Sequence, residues 1–298
     1  MGKALADAFP ICRDTFAEAD QAVGEPLSRL IFDGPEDQLT LTENAQPSIL
    51  AVSTAACRLL ESRGVTPAFV AGHSLGEYSA NVAAGTFEFG DALRMVRRRG
   101  RYMQEAVPVG EGAMAAILGL DAATVAQACV EQAHGEVVGP ANLNGAGQIV
   151  IAGARDAVRR AGEQAKSLGA KRVIPLPVSA PFHCALMMPA QERLARDLEA
   201  ITFSAPKVPL VNNVDAAVVR GADAGRDGLV RQVSGTVRWQ ESVERLVREG
   251  VDTFVEVGPG TVLSGLVKKI DKNVRVLGVE DPASLEATTA ALQERRTA

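Results

Sequence analysis

Aromatic residues are scarce in this chain of 298 residues, which contains 9 Phe, 2 Tyr and 1 Trp. Basic residues do not dominate either, because 31 Lys and Arg stand against 36 Asp and Glu. A nucleic-acid-binding protein usually presents a basic surface and aromatic side chains on which bases stack. The composition therefore disfavours nucleic-acid binding.

Cysteine is also rare. The chain has 4 cysteines, far apart and without a C-x-x-C pair, so the sequence indicates neither a zinc knuckle nor a disulfide framework. No motif of spaced histidine or carboxylate ligands predicts a metal site. No apolar run reaches the roughly 18 residues of a membrane-spanning helix, and the first residues contain no apolar signal segment. We predict a cytoplasmic protein whose thiols stay reduced.

The remaining composition, with 47% apolar and 22% charged residues, is that of a folded globular protein. Helical patterns alternate with short apolar strands towards both ends of the chain, which predicts one α/β sheet built from two chain segments. Among these elements are a buried helix over residues 47–63 and a central strand over residues 66–72.

A central stretch has a different pattern. From about residue 107 to residue 178 the order is strand, helix, strand, strand, helix, strand, which is that of a ferredoxin-like split unit. Asn142 and Asn144 are interpreted as residues of the turn between its two middle strands. We predict a large domain over residues 1–106 and 181–298, and a small inserted domain over residues 107–180.

The segment Gly72-His73-Ser74-Leu75-Gly76 has the G-x-S-x-G pattern of a nucleophile elbow, with an apolar strand before it and a helix after it. The serine of such an elbow occupies a strained strand-to-helix turn, and the two glycines avoid side chains that would collide there. Its hydroxyl also gains the positive end of the helix. The alternative is a glycine-rich turn in which Ser74 only caps the helix. We favour the nucleophile.

A serine nucleophile needs a base, and the chain has 3 histidines, His73, His134 and His183. His73 is adjacent to Ser74, so its side chain is expected to point away from that of the nucleophile. His134 ends a helix of the central stretch, where a solvated charge explains it. His183 follows the last strand of that stretch, in a loop that a proline makes rigid. It is the best candidate base.

Arg99 is the most informative of the arginines between positions 94 and 101. It falls within the apolar stripe of the predicted helix, one turn from both Met95 and Met103. A buried guanidinium must be paired, because an unpaired one is very costly. Its partner is either an internal carboxylate or the carboxylate of a substrate, and the pattern alone leaves both open.

Further short segments complete the pattern. They are residues 112–116, 181–184, 211–213, 229–232 and 256–260. Together with the elbow and the Arg99-Gly100 step, they resemble the malonyl-CoA:acyl carrier protein transacylases of fatty acid synthesis, in the order of that family and over almost the whole chain. The resemblance implies an α/β-hydrolase-like large domain with a parallel sheet and an inserted ferredoxin-like (βαββαβ) small domain, with the catalytic site between them.

By the same resemblance, Ser74 accepts the malonyl group, His183 is its general base and Arg99 binds the malonyl carboxylate. The backbone N–H of Leu75 supplies half of the oxyanion hole, and the backbone carbonyl of Gln232 orients the histidine in place of a triad carboxylate. The substrates are malonyl-CoA and the phosphopantetheine-carrying acyl carrier protein. No cofactor is implied, and we expect a monomer.

One departure from the family stands out. Its members begin with a strand and a G-Q-G-S-Q loop that supplies the other oxyanion donor, and this chain starts after that point. Losing one such donor costs about 2.7–4 kcal/mol in the transition state. We expect that the start codon is misassigned and that the natural protein is longer. A stop codon upstream of Met1, with no G-Q-G-S-Q encoded before it, would contradict this expectation.

Two alternative functions stay open. One is a polyketide-type acyltransferase for another extender unit, although Phe182 before His183 resembles the malonyl-selective pattern. The other is a non-catalytic carrier-protein-binding module, suggested by the absent strand. A serine esterase is disfavoured, because no acid member follows Ser74 at an identifiable position. Acyl carrier proteins are acidic, so docking on this acidic chain needs a local basic patch. The candidates are Lys171-Arg172, Lys268-Lys269 and Arg97-Arg98-Arg101.

Overall fold

The structure is a computed structural model that describes the backbone of residues 1–297 and the side chains of residues 1–294. The chain begins with a set of helices and forms its first strand just before the elbow. In chain order, the elements of this part are α1 (Lys3–Ala8), α2 (Pro10–Val23), α3 (Leu27–Asp33), α4 (Glu36–Leu39), α5 (Thr42–Ser62), β1 (Val70–Ala71), α6 (Leu75–Ala83) and α7 (Phe89–Glu105).

Helix α5 is the buried centre of this part and packs against α2, α6 and α7. The prediction started this helix at residue 47, whereas the structure starts it at Thr42. Pro47 therefore lies inside the helix, where burial of the surrounding face outweighs the backbone hydrogen bond that its ring removes. Helix α7 approaches α5 closely at Gly100, where an added Cβ would lie 2.6 Å from Glu43 Cα.

The central stretch consists of β2 (Gly112–Leu118), α8 (Ala122–Gln132), β3 (Val138–Gly145), β4 (Gln148–Ala154), α9 (Arg155–Ser167) and β5 (Arg172–Pro175). Its strands form a four-stranded antiparallel sheet with two helices on it, in the strand order β3-β4-β2-β5. This order is that of a ferredoxin-like unit, so the predicted fold class is confirmed. Ala115 and Ile117 of β2 pack under the helices, while Met114 and Ala116 face the opposite side, in the cluster that contains Cys184. The domain boundaries stay predictions.

The turn between β3 and β4 is shorter than predicted. Strand β3 runs to Gly145, so Asn142 and Asn144 are buried strand residues and the prediction of turn residues is wrong. The turn itself is Ala146 and Gly147, with φ of 49° and 70°, the signs that a tight primed hairpin turn needs. Strand β3 also pairs with a backbone segment of the large part at Val237.

The last part of the chain returns to alternating helices and short strands. A short 3₁₀ helix (Ala185–Met187) precedes it. The elements are α10 (Met188–Glu199), β6 (Leu210–Val211), β7 (Val218–Val219), α11 (Ala222–Arg231), α12 (Trp239–Arg248), β8 (Thr253–Val257), α13 (Val262–Ile270), β9 (Arg275–Val279) and α14 (Pro282–Thr297).

Two small sheets lie outside the central stretch, where we predicted one. In the first, β1 is parallel to β6, which is antiparallel to β7; in the second, β8 and β9 are parallel. The strand predicted over residues 66–72 pairs only at Val70 and Ala71, because the chain enters a tight turn at Gly72. The two sheets nevertheless share a core, since Ala71 and Phe254 pack against one apolar cluster.

Helix α11 was not predicted, because Gly225 and Gly228 interrupt its pattern. Gly228 has a packing reason in the structure: an added Cβ would lie 3.3 Å from Asn212 Nδ2 and 3.4 Å from Glu77 Oε1. The small residue lets α11 approach α6, and the helix ends at Arg231, so its C-cap residue Gln232 lies beside the elbow.

The described part of the chain contains no helix that is both long enough and apolar enough to cross a membrane.

Candidate active site

The elbow is a strained turn between β1 and α6. Ser74 has φ 51° and ψ −108°, a conformation that is costly for a residue with a side chain. Asn213, which follows β6, holds the turn from both sides. Its Oδ1 accepts a hydrogen bond from Ser74 N at 2.7 Å, and its Nδ2 donates to the carbonyl oxygen of Gly72 at 2.7 Å. The sequence interpretation had noted Asn213 only as part of a matching segment.

Ser74 and His183 lie within hydrogen-bonding reach. Ser74 Oγ is 2.7 Å from His183 Nε2, and His183 Nδ1 is 2.8 Å from the backbone carbonyl oxygen of Gln232. Because a carbonyl can only accept, Nδ1 carries the hydrogen and Nε2 presents its lone pair to the serine hydroxyl. Burial, together with the charge of Arg99, lowers the pKa of His183 to about 3. The imidazole is therefore neutral and can accept a proton.

Arg99 lies in the same pocket and is 2% exposed. Its Nη2 donates to Ser74 Oγ at 3.2 Å and to Gln232 Oε1 at 2.8 Å, and its Nη1 donates to Gln46 Oε1 at 2.6 Å. All these acceptors are neutral, and no carboxylate of the described residues forms an ion pair with it. Its Nε has no hydrogen-bond partner at all. The sequence left two possible partners open, an internal carboxylate and the carboxylate of a substrate. The described residues contain no internal carboxylate that pairs with Arg99.

The Leu75 N–H is the free donor beside the nucleophile. Leu75 is the first residue of α6, where backbone N–H groups have no acceptor within the helix. The next two amides are engaged, since Gly76 N donates to His73 O at 2.9 Å and Glu77 N donates to Ser74 O at 3.1 Å. Leu75 N–H has no acceptor among the described residues and can serve a developing oxyanion.

The other two histidines lie outside this arrangement. The ring of His73 packs edge-on against Trp239, and its Nε2 is 2.8 Å from Asn144 Oδ1, so it points away from Ser74 as predicted. Burial lowers the pKa of His73. His134 is exposed beyond the end of α8.

Glu77 is a buried carboxyl that sequence reasoning did not assign. It is 0% exposed, and its Oε2 accepts from Gln232 Nε2 at 2.8 Å and from Asn213 N at 3.0 Å. Burial raises the pKa of Glu77 to about 7, against the hydrogen bonds from Gln232 and Asn213. The available signal was a lone charged residue in the otherwise uncharged helix α6, one turn after Ser74.

No group of three or more His, Cys, Asp or Glu side chains in the described residues could hold a metal ion. A strained serine bonded to a neutral, buried histidine, with a free amide and an unpaired guanidinium beside it, defines a serine-dependent acyl-transferring enzyme.

Comparison with known proteins agrees with this class. A family model described as acyl transferase domain matches residues 1–289. The chain is 51% identical over 284 residues to the malonyl CoA-acyl carrier protein transacylase of Escherichia coli strain K12, covering 95% of this chain and 92% of that protein. It is 48% identical over 295 residues to the Bacillus subtilis strain 168 protein of the same name, covering 99% and 93%.

A solved structure of a malonyl-transacylase in complex with its type II PKS acyl-carrier protein superposes with a TM-score of 0.95. The identity is 48%, over 98% of this chain and 94% of that chain. This chain belongs to the acyl transferase domain family and, within it, to the malonyl CoA-acyl carrier protein transacylases.

Proposed function

We propose that this protein transfers the malonyl group of malonyl-CoA to the phosphopantetheine thiol of acyl carrier protein, through a malonyl ester of Ser74, in fatty acid biosynthesis. One observation carries the proposal: Ser74 Oγ lies 2.7 Å from His183 Nε2 and 3.2 Å from Arg99 Nη2. A nucleophile, its base and a free cation for the malonyl carboxylate therefore share one pocket. The names of the curated relatives support the same reaction.

In the first half-reaction, Ser74 Oγ attacks the thioester carbonyl of malonyl-CoA while its proton passes to His183 Nε2. The tetrahedral oxyanion accepts a hydrogen bond from Leu75 N–H. The bond from carbon to sulfur then breaks, and the coenzyme A thiolate takes the proton from His183. The carbonyl oxygen of Gln232 stabilises the imidazolium that exists between these two steps.

In the second half-reaction, the phosphopantetheine thiol gives its proton to His183 Nε2 and attacks the ester carbonyl. The bond from carbon to Ser74 Oγ breaks, and Oγ recovers a proton from His183. The malonyl thioester of the carrier protein leaves. Water competes with the thiol, and Arg99 opposes it by holding the malonyl group so that the site closes over the ester.

The role of Arg99 follows from what surrounds it. Hydrogen bonds to the Gln46 and Gln232 amide oxygens set the plane of the guanidinium without neutralising its charge. A malonyl carboxylate supplies the missing negative charge as a bidentate partner. An acetyl group has no carboxylate and gains nothing from it.

Intact mass after mixing with malonyl-CoA tests the proposal. We expect one malonyl group per chain, no adduct on Ser74→Ala, and a loss of malonyl transfer in Arg99→Ala that is far larger than the loss of acetyl transfer. Equal losses for both acyl groups would refute the carboxylate-binding role. Incubation with mixed acyl-CoAs distinguishes a different extender unit, and a fluorophosphonate probe that fails to label Ser74 would favour a non-catalytic binding module.

The surface that meets the acidic carrier protein is proposed to include Lys171 and Arg172. Both side chains are exposed, and neither has a carboxylate partner among the described residues. Most of the other candidates are already engaged: Arg97, Arg98 and Arg101 pair with Glu25, Asp197 and Glu43, and Lys268 donates to the carbonyl oxygen of Val274. Lys269 is exposed but stands alone beside the engaged Lys268, whereas Lys171 and Arg172 form an adjacent pair.

Charge reversal of both residues, Lys171→Glu with Arg172→Glu, should slow transfer to the carrier protein several-fold and leave malonylation of Ser74 unchanged. Arg101→Glu is the control and should have no such effect. In the native protein the transfer rate should fall steeply with added salt, because long-range attraction is screened. A transfer rate that changes neither with salt nor with the charge reversals would contradict the docking role of this surface.

We also propose that the reaction needs no cofactor, that the protein acts as a monomer in the cytoplasm, and that residues 107–180 form a separate inserted domain. The free state of Cys12, Cys57, Cys129 and Cys184 supports a reducing compartment. The change of sheet type at β2 supports the domain boundary.

A further inference from the structure

Glu77 is a completely buried charged residue that the mechanism above does not use. Its Oε1 has no hydrogen-bond partner, whereas its Oε2 accepts two hydrogen bonds from different chain segments. One donor is the backbone N–H of Asn213, after β6, and the other is Nε2 of Gln232, at the end of α11. A carboxyl buried at such a cost and bonded through one oxygen indicates a specific task.

The two residues that Glu77 joins support different groups of the site and also touch each other, because Gln232 Nε2 lies 2.9 Å from the carbonyl oxygen of Ser74 and 3.3 Å from Asn213 Oδ1. Glu77 Oε2 is the acceptor that fixes the position of this Nε2 relative to α6. Asn213 holds the nucleophile, through Ser74 N at 2.7 Å and Gly72 O at 2.7 Å. Gln232 holds the base and the cation, through its carbonyl oxygen to His183 Nδ1 at 2.8 Å and its Oε1 to Arg99 Nη2 at 2.8 Å.

We propose that Glu77 is a positioning residue whose Oε2 ties the support of Ser74 to the support of His183 and Arg99. It touches neither substrate nor reacting atom. Its task is to keep Ser74 Oγ and His183 Nε2 at hydrogen-bonding distance, by holding Asn213 and Gln232 in fixed relation to α6. The proposal rests on the proposed acyl transfer.

The two hydrogen bonds that Glu77 Oε2 accepts depend on the position of this oxygen and not on the charge of the carboxyl group. The Asn213 donor is a backbone N–H, whose position is set by the chain, so an oxygen must face it. Oε1 has no partner and can carry a proton or be replaced by an amino group without loss of either hydrogen bond. The amide oxygen of a glutamine can therefore do the same work, whereas a shorter aspartate cannot reach both donors.

Two variants separate position from charge. Glu77→Gln keeps the length and removes the charge, and Glu77→Asp keeps the charge and withdraws the oxygen by about one carbon–carbon bond. We expect Glu77→Gln to retain kcat within about threefold. We expect Glu77→Asp to lose kcat by roughly tenfold to a hundredfold with little change in KM, because misplacement of catalytic groups by about 1 Å has effects of this size.

The measurements are malonyl transfer and the rate of fluorophosphonate labelling of Ser74, both per folded protein. Asn81→Leu is the matched control, because Asn81 is equally buried one turn later on α6 and bonds only to the backbone oxygen of Glu77. It should destabilise the protein and leave the labelling rate unchanged. The labelling assay needs no malonyl-CoA. If the proposed function is wrong, the native protein will label at Ser74 but will not become malonylated, and this outcome differs from every outcome that contradicts the role of Glu77.

Three results would overturn the inference. Retention of activity by Glu77→Asp would show that the position of the oxygen does not matter. A loss in Glu77→Gln as large as in Glu77→Asp would assign the effect to charge or packing. A fall in the labelling rate of Asn81→Leu equal to that of Glu77→Asp would reduce Glu77 to a general contribution to stability.

Discussion

Ser74 and His183, the two residues proposed to exchange a proton, both have φ in the left-handed region, at 51° and 60°. Each such conformation costs a residue with a side chain about 1–3 kcal/mol. Ser74 N donates a hydrogen bond to Asn213 Oδ1, and His183 Nδ1 donates one to the carbonyl oxygen of Gln232. These two bonds offset that cost and remove rotational freedom at the same time. The reacting atoms are therefore placed before a substrate arrives.

The charge of Arg99 and the protonation of His183 are coupled, which predicts a pH effect. Burial lowers the pKa of His183 most and the charge of Arg99 lowers it further, so Arg99→Ala should raise this pKa from about 3 part of the way towards its ordinary value of 6.5. The imidazole would then become protonated, and inactive as a base, at a higher pH. The rate of fluorophosphonate labelling falls at acid pH as His183 becomes protonated. This fall should occur at a higher pH in Arg99→Ala than in the native protein.

Arg94→Ala is a suitable control for this shift, because Arg94 lies on the exposed face of the same helix and bonds to Asp91. Arg94→Ala should not change the pH at which the labelling rate falls. If the labelling rates of Arg99→Ala and of the native protein fall at the same pH, the coupling is contradicted.

The elbow shows how elements meet at a single glycine. A Cβ on Gly72 would lie 2.0 Å from the carbonyl oxygen of Gly76, so the end of β1 and the first turn of α6 touch backbone to backbone. The sequence interpretation gave both glycines the same role, and the structure separates them. A Cβ on Gly76 would meet nothing within 4 Å.

Alanine at these two positions should therefore have opposite effects on stability. Gly72→Ala forces β1 and α6 apart and should lower the free energy of unfolding by at least about 2 kcal/mol. Gly76→Ala removes backbone freedom within a helix and should raise it by about 0.5–1 kcal/mol. Urea unfolding of the two variants checks this. Equal destabilisation by both would mean that the close contact at Gly72 is not what the turn requires.

At the scale of the whole molecule, β3 joins the four-stranded sheet to the part that carries Ser74. Leu143 N donates to Val237 O at 2.8 Å, and Val237 N donates to Ala141 O at 2.9 Å. Asn144 adds a side-chain bond to His73, the residue before the nucleophile. The two parts thus meet directly at the elbow.

Asn144→Ala should weaken this junction. It leaves the partly buried ring of His73 without its hydrogen-bond partner, which costs about 1–3 kcal/mol of unfolding free energy. Fluorophosphonate labelling of Ser74 should also slow, since the neighbouring residue loses its support. The exposed His134→Ala, on the same four-stranded sheet unit, should change stability by less than about 0.5 kcal/mol. An Asn144→Ala protein as stable as the native one would show that the junction does not depend on this bond.

The sequence by itself determined the features that local pattern encodes. The elbow with its strand and helix, the amphipathic helices, the βαββαβ order and the burial of Arg99 all depend on neighbours a few residues apart, where periodicity and turn chemistry act. The proposed roles of His183 and Arg99 came from elimination among the three histidines and from the family resemblance. Even so, Pro47 and the glycines of α11 misled the local interpretation, because burial of a helix face outweighed the intrinsic preference of single residues.

Only the tertiary structure decided which groups support those three residues. Asn144 meets His73 across 71 positions, Asn213 meets Ser74 across 139, and Gln232 meets Glu77 across 155. Such long-range pairs produce no periodic pattern in the sequence, because each partner looks like any other polar residue until folding buries it. Whether Arg99 has an internal ion pair was open for the same reason: its burial could be inferred from spacing, but its neighbours could not.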